Sequence, residues 1–218
     1  MSVKIYLDTV IPLLHKTTFG VLATQSTQLA GYPFASILPF VPDERHRPVF
    51  LISALGEHTK NLLADHRASF LVSSPDGKNA LTGSRLTFVG DVTPVDASPN
   101  LVARYLRYQP DAKQYLELGD FAFFRLTPRR ARYVAGFGEM GWMEERDWEN
   151  GVVLPLADEA KFYRELVDVL PMGIRLLGLD CYGVDIERQG KRERQQFPNV
   201  LVTAENVGEV IKRFLVAL

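Results

Sequence analysis

Ser53, His58, Thr59 and Asn61 fall close together within residues 51–65, LISALGEHTKNLLAD, and form the most chemically pointed group in the chain. The apolar run Val49-Phe50-Leu51-Ile52 reads as a strand that stops at Ser53, and an amphipathic helix is expected from His58 to position 65. Small donors therefore gather where a strand ends and a helix begins. A helix N-terminus carries unpaired N–H groups and a partial positive charge, which suits a phosphate and hence a nucleotide-like ligand. The same residues also read as helix caps with a solvated first-turn histidine, and the local pattern by itself favours caps.

Around this group the hydrophobic pattern predicts many short strands and few helices. Residues 3–17 carry Val3, Leu7, Val10 and Leu14 at helix spacing, with Pro12 as an interruption. Strands are expected at 20–24, at 32–41 and at 49–53. Prolines near both ends of the second suit an edge or bulged position. Residues 68–73 read as an apolar strand expected to be buried on both faces, and residues 84–95 alternate as one long strand. Two short helices are expected at 99–106 and 111–118, then strands at 121–126 and 132–135. The basic run Arg129-Arg130-Ala131-Arg132 precedes an aromatic, glycine-rich loop, Gly136-Phe137-Gly138, with Trp142 and Trp148 beyond it. Without a helix between every strand pair, a barrel is favoured over a doubly wound sheet.

The fold class expected is α+β. A six- or seven-stranded barrel with flanking helices occupies residues 1–150, followed by a small α+β domain at 151–218. In the latter a helix is expected at 158–170, and a hairpin of strands 174–179 and 184–187 around Asp180-Cys181-Tyr182-Gly183. A third strand is expected at 200–203, with a closing helix capped by Thr203 that sets Val207, Val210, Ile211, Phe214, Leu215 and Leu218 on one stripe. Lys191-Arg192-Glu193-Arg194 reads as a solvated turn.

Composition narrows the classes. A chain of 218 residues with 46% hydrophobic and 23% charged residues can bury a sizeable core without staples. The single cysteine, Cys181, excludes an internal disulfide and any multi-cysteine zinc site. His15, His46 and His66 show no metal-ligand spacing and read as structural or solvated, so no metal is expected. A net charge of -1 gives no global pull toward nucleic acid or an anionic membrane. No signal peptide or membrane-length apolar stretch is apparent, so a cytoplasmic location is expected.

Four segments in order carry a family likeness: Gly20-Val-Leu-Ala-Thr24, Gly31-Tyr-Pro-Phe-Ala-Ser36, Ser53-Ala-Leu-Gly-Glu-His-Thr-Lys-Asn61 and Arg85-Leu-Thr-Phe-Val-Gly90. Together they resemble the FMN-binding split β-barrel proteins related to pyridoxamine 5'-phosphate oxidase. Tyr133-Val-Ala-Gly-Phe-Gly138 with Trp142 is similar to the branch that includes HugZ-type haem-utilisation proteins. The likeness covers roughly the first two thirds of the chain. It implies a homodimer with FMN in two interface clefts. By the family pattern Ala35, Ser36 and Leu38 lie along the ribityl chain and ring edge, while Ser53, His58, Thr59, Asn61 and Arg85 hold the phosphate. Arginine suits bidentate phosphate contact.

The C-terminal part resembles the small domain of that branch but departs from it. Relatives usually carry a histidine in its first helix, and this chain has no histidine after His66. Ala35 and Ser36 also stand where true pyridoxamine phosphate oxidases place an arginine and its neighbours, so vitamin B6 oxidation is not expected.

Three functions remain. The resemblance implies first a flavin-dependent oxidoreductase acting on a small-molecule substrate, with the flavin carrying the redox chemistry. Tyr133, Phe137 and Trp142 are its candidates to face substrate, although such aromatics also serve as packing; the sequence singles out no catalytic acid–base pair. The alternative is haem binding or degradation at the same dimer cleft, with Arg129, Arg130 and Arg132 meeting the propionates. The third is a non-catalytic flavin-binding scaffold.

Overall fold

The computed structural model describes residues 4–74, 83–135, 139–201 and 210. The first helix, α1 (Leu7–Lys16), buries Leu7, Val10, Ile11 and Leu14 on one stripe, as its spacing predicts, and Pro12 lies inside it. Strands β1 (Phe19–Gln25) and β2 (Pro33–Pro39) form an antiparallel hairpin. The two-residue strand β3 (Val41–Pro42) pairs with β4 (Pro48–Ser53). Helix α2 (Glu57–Ala64) follows, then β5 (Arg67–Ser73) and β6 (Arg85–Pro94). Next come α3 (Pro99–Tyr108), α4 (Ala112–Leu116), β7 (Phe121–Ala135), β8 (Glu139–Glu144) and α5 (Glu145–Glu149). The C-terminal elements are α6 (Leu156–Leu166), β9 (Ile174–Asp180), β10 (Gly183–Arg188) and β11 (Lys191–Gln196).

Two compact units result: residues 1–96 with 111–151, and residues 97–110 with 152–218. In the first, eight strands form one curled antiparallel sheet in the order β2-β1-β5-β6-β7-β4-β3, with β8 also on β7, the split-barrel form. Leu22, Phe40, Phe50, Phe70, Phe88 and Leu126 fill its interior, all fully buried. Phe70 meets Phe40 and Phe50 edge-on, at centroid distances of 5.1 and 4.9 Å.

The long strand β7 departs from expectation. Residues 121–126 and 132–135 are one continuous strand, and the basic run Arg129–Arg132 lies within it rather than between two strands. The register against β6 slips between Val89 and Gly90, so that Val89 faces Arg130 while Gly90 faces Pro128. This bulge leaves both Arg129 and Arg130 exposed and reverses the inward phase: Phe124, Leu126 and Pro128 point in before it, Ala131 and Tyr133 after it. A Cβ on Gly90 would sit 2.2 Å from the Thr127 carbonyl oxygen, so this approach requires glycine. Strand β5 also differs from expectation. Phe70 and Val72 are buried, but Leu71 keeps 37% exposure, because it points to the sheet face that the described residues leave uncovered.

In the second unit, Ser98 caps α3 by accepting from the Leu101 N–H. The helix packs with α6 on the sheet β9-β10-β11. The third strand among the described residues is therefore 191–196, and the strand expected at 200–203 falls partly outside them. The Lys191–Arg194 run strands because Arg194 turns inward to Asp180 (2.6 Å) and Asp185 (3.1 Å). Charge runs normally stay in water, and this one has buried carboxylates to meet. Asp185 also accepts from the Tyr108 hydroxyl, and Glu159 accepts from Arg104 and Arg107. The turn expected at 74–77 falls mostly, and the closing helix almost entirely, outside the described residues.

Candidate functional site

The group at the start of α2 is mostly engaged within the fold. The Ser53 hydroxyl donates to Asp120 at 2.6 Å and accepts from the Leu55 N–H at 3.0 Å. Thr59 is buried and donates to the Ser53 carbonyl at 2.6 Å. Asn61 is fully buried: its amide donates to Thr24 and its oxygen accepts the Thr27 N–H and hydroxyl. Asn61 thus ties α2 to the β1–β2 hairpin. Gly56, not a serine or threonine, occupies the N-cap position.

His58 behaves differently. It is half-buried, and its Nδ1 lies 3.2 Å from the Ser36 hydroxyl on edge strand β2. Burial pushes its pKa below the ordinary histidine value, so the imidazole is neutral near pH 7. The ring edge lies over Gly56, where an added Cβ would meet Nε2 at 2.8 Å. Of the candidates, His58 and Ser36 are brought together side chain to side chain. Along β2 the faces alternate, so Ala35 is exposed on the face opposite Ser36, and Leu38 is buried on the Ser36 side. Arg85 stands at the start of β6, between Ser73 and Val134.

The outward face of the sheet is the larger feature. Directly paired residues share a face, and one row runs Ile37, Val21, Leu71, Thr87, Arg132, Trp142 across β2, β1, β5, β6, β7 and β8. The next runs Ala35, Ala23, Ser69, Val89, Arg130, Glu144. At the β2–β1 end the face is apolar and uncovered: Ile37 is 69% and Phe19 58% exposed. At the β7–β8 end it is cationic and aromatic. The Arg130 and Arg132 guanidinium groups lie 4.2 and 5.2 Å from the centroid of the exposed Trp142 ring. Arg130 pairs with Glu144 at 2.9 Å, and Arg129 with Asp91 and Glu145 at 2.9 and 2.8 Å. Among the described residues no carboxylate pairs with Arg132. A shallow groove of about 260 Å³ crosses the face, lined by Ala23, Pro33, Arg67, Ser69 and Val89.

Tyr133 and Trp142 do not converge. Tyr133 is buried and pairs with Gly141, one residue out of phase with Arg132 and Trp142, so the two rings occupy opposite faces. Phe137 lies outside the described residues. The bulge that turns Arg129 and Arg130 outward together had one signal in the sequence, a glycine within the alternating run 84–95. The inward pairing of His15 Nε2 with His46 Nδ1, at 2.9 Å and fully buried, had none.

Residues 12–150 match the CREG β-barrel family. The chain is 33% identical over 156 residues to the chloroplastic heme oxygenase HOZ of Arabidopsis thaliana, covering 68% of this chain and 47% of that protein. It therefore spans about half the length of that relative. It is 30% identical over 125 residues to heme oxygenase HutZ of Vibrio cholerae, covering 54% of this chain and 69% of that one. A heme binding protein from Mycobacterium smegmatis shares the fold, with a TM-score of 0.62 at 22% identity over 99% of this chain and 100% of that one.

Proposed function

The chain belongs to the CREG β-barrel family of split barrels, and from that premise we propose that it binds haem at a cleft between two copies and acts as an oxygenase of haem-degrading type. The observation that carries this reading is the outward sheet face, which joins an uncovered apolar end to Arg130, Arg132 and Trp142. Haem is a flat apolar ring with two carboxylates, and such a face offers both kinds of contact. Arg132 is the propionate anchor, because no described carboxylate already holds it. The family relatives named as heme oxygenases support the same reading. When bound, haem iron supplies the oxygen chemistry, and the protein supplies orientation and exclusion of water.

The donor set fits the phosphate of FMN less well. The Ser53 hydroxyl already faces the Asp120 carboxylate, which would repel a phosphate, and Thr59 and Asn61 spend their polar groups inside the fold. The flavin reading recedes on that ground.

A second copy is part of the proposal. The groove of about 260 Å³ falls below the roughly 300 Å³ at which small-molecule pockets begin. Strand β2 and strand β7 are four strand spacings apart, on the order of 19 Å along the sheet. A ligand touching both ends of the face must therefore be shared between two chains.

Titration of the full chain with haemin tests the reading. A saturable Soret band is expected, and Arg132→Ala should weaken binding roughly tenfold through loss of a charge-assisted contact. No Soret band, or a flavin retained in its place, would sink the haem proposal; neither ligand retained would leave a scaffold.

A further inference from the structure

We propose that Arg130 is a second propionate anchor for the haem, beside Arg132, and that Glu144 is the internal carboxylate which that propionate displaces. This inference rests on the haem reading above and assigns the groups that recognise the carboxylate edge of the ligand.

Strand register sets four residues in a square on the outward face. Across β7 and β8, Arg130 stands opposite Glu144 and Arg132 opposite Trp142. The two arginines are two residues apart on one strand, so they point the same way with Cα atoms about 7 Å apart. The Trp142 ring joins them. It is 39% exposed, and the guanidinium groups of Arg130 and Arg132 lie 4.2 and 5.2 Å from its centroid. A guanidinium resting on an aromatic face keeps its edge N–H groups for a carboxylate. Trp142 is therefore a positioning residue, which holds two like charges side by side. Haem carries its two propionates on neighbouring positions of one rim, and a pair of adjacent guanidiniums matches that edge.

The three arginines of the run differ in how firmly they are held. Arg129 is tied by two carboxylates, Asp91 at 2.9 Å and Glu145 at 2.8 Å. Arg130 has Glu144. That contact runs from Nε to a single oxygen at 2.9 Å and lacks the two-point fork that makes arginine–carboxylate pairs strong. The two side chains are 49% and 46% exposed, so water screens the pair and it contributes little. A propionate has an advantage that a carboxylate free in solution lacks. The apolar contacts of the porphyrin hold it at high local concentration, and it can take the place of Glu144 on Arg130. The backbone at Glu144 need not move in the exchange, because its N–H stays bound to the Asp147 carboxylate at 2.8 Å.

The experiment compares two probes, haemin and haemin dimethyl ester, which share a ring but differ in having free or esterified carboxylates. Each is titrated into the full chain and its variants and followed by Soret absorption. Glu144→Gln should bind haemin about two- to fivefold more tightly than the parent, the scale of one exposed ion pair and a gain that misfolding cannot produce. The gain should vanish with the dimethyl ester, and also when Arg130→Gln is added. Trp142→Ala should weaken haemin binding with little change for the ester, and Trp142→Phe should recover part of the loss. Equal haemin affinity in the parent and Glu144→Gln, or an equal gain with the ester, overturns the exchange while leaving haem binding intact. An equal loss of both probes in Trp142→Ala removes its positioning role. No Soret band in the parent with either probe overturns the haem reading itself, so the two failures are told apart by the parent chain alone.

Discussion

At the residue scale, the contrast between His58 and Asn61 shows how neighbours on one helix take different work. Asn61 is buried with every contact inside the fold, so its role is to tie α2 to the hairpin. His58 is half-buried, and among the described residues its ring bonds Ser36. Its depressed pKa sets the sign of a pH effect. The unfolded chain takes up a proton at about pH 6.5, where the folded chain still resists it. The stabilisation is thus present above that pH and is lost as pH falls through it toward the folded value. Urea denaturation between pH 7.5 and 5 should show a steeper loss of stability in wild type than in His58→Gln. Parallel slopes would mean that the imidazole is not held neutral by the fold.

At the element scale, β7 decides which side chains face outward. Its bulge reverses the alternation of inward and outward residues, and so sends Arg129 and Arg130 to solvent together. Gly90 makes the bulge possible, since a Cβ there would overlap the Thr127 carbonyl oxygen at 2.2 Å. Gly90→Ala should destabilise the chain by about 1–3 kcal/mol, the usual cost of forced overpacking. The measurement is the urea midpoint, and an unshifted midpoint would show that the bulge relaxes freely. In the second unit, β11 makes the parallel point. A run of basic residues becomes a strand because Asp180 and Asp185 wait inside the sheet for Arg194.

At the scale of the whole molecule, the uncovered face is the feature that a single chain leaves unfinished. Apolar side chains spread over contiguous strands mark a surface that another copy can cover, and a two-fold pair covers it with the same patch. Ile37 is central in that face and 69% exposed, so Ile37→Glu should leave folding unchanged. Sedimentation should show a dimer for the parent chain and a monomer for this variant. A monomeric parent would remove the second copy from the proposal. Among the described residues no helix is long and apolar enough to cross a membrane.

The sequence by itself determined the class of fold and most of the elements. Local information suffices there: the alternation of 84–95, the stripe of α1, the turn at Cys181-Tyr182 and the strand-to-helix step at Ser53–Glu57 are all written within a few residues. The ordered segments from Gly20 to Gly90 also pointed to the split barrel, because they lie along its first strands. What only the tertiary structure decided was which polar groups remain available. Ser53, Thr59 and Asn61 look alike as donors in sequence, but Ser53 meets Asp120 and Asn61 meets Thr24 and Thr27, partners from distant strands and loops, while Thr59 donates back to the Ser53 carbonyl. Likewise Tyr133 and Trp142 look like one aromatic cluster, and a single register pairing puts them on opposite faces. Partners distant in sequence cannot be read from periodicity, which reports only how a segment faces its surroundings. The site is therefore a product of strand order and register, the two quantities that form only when the sheet closes.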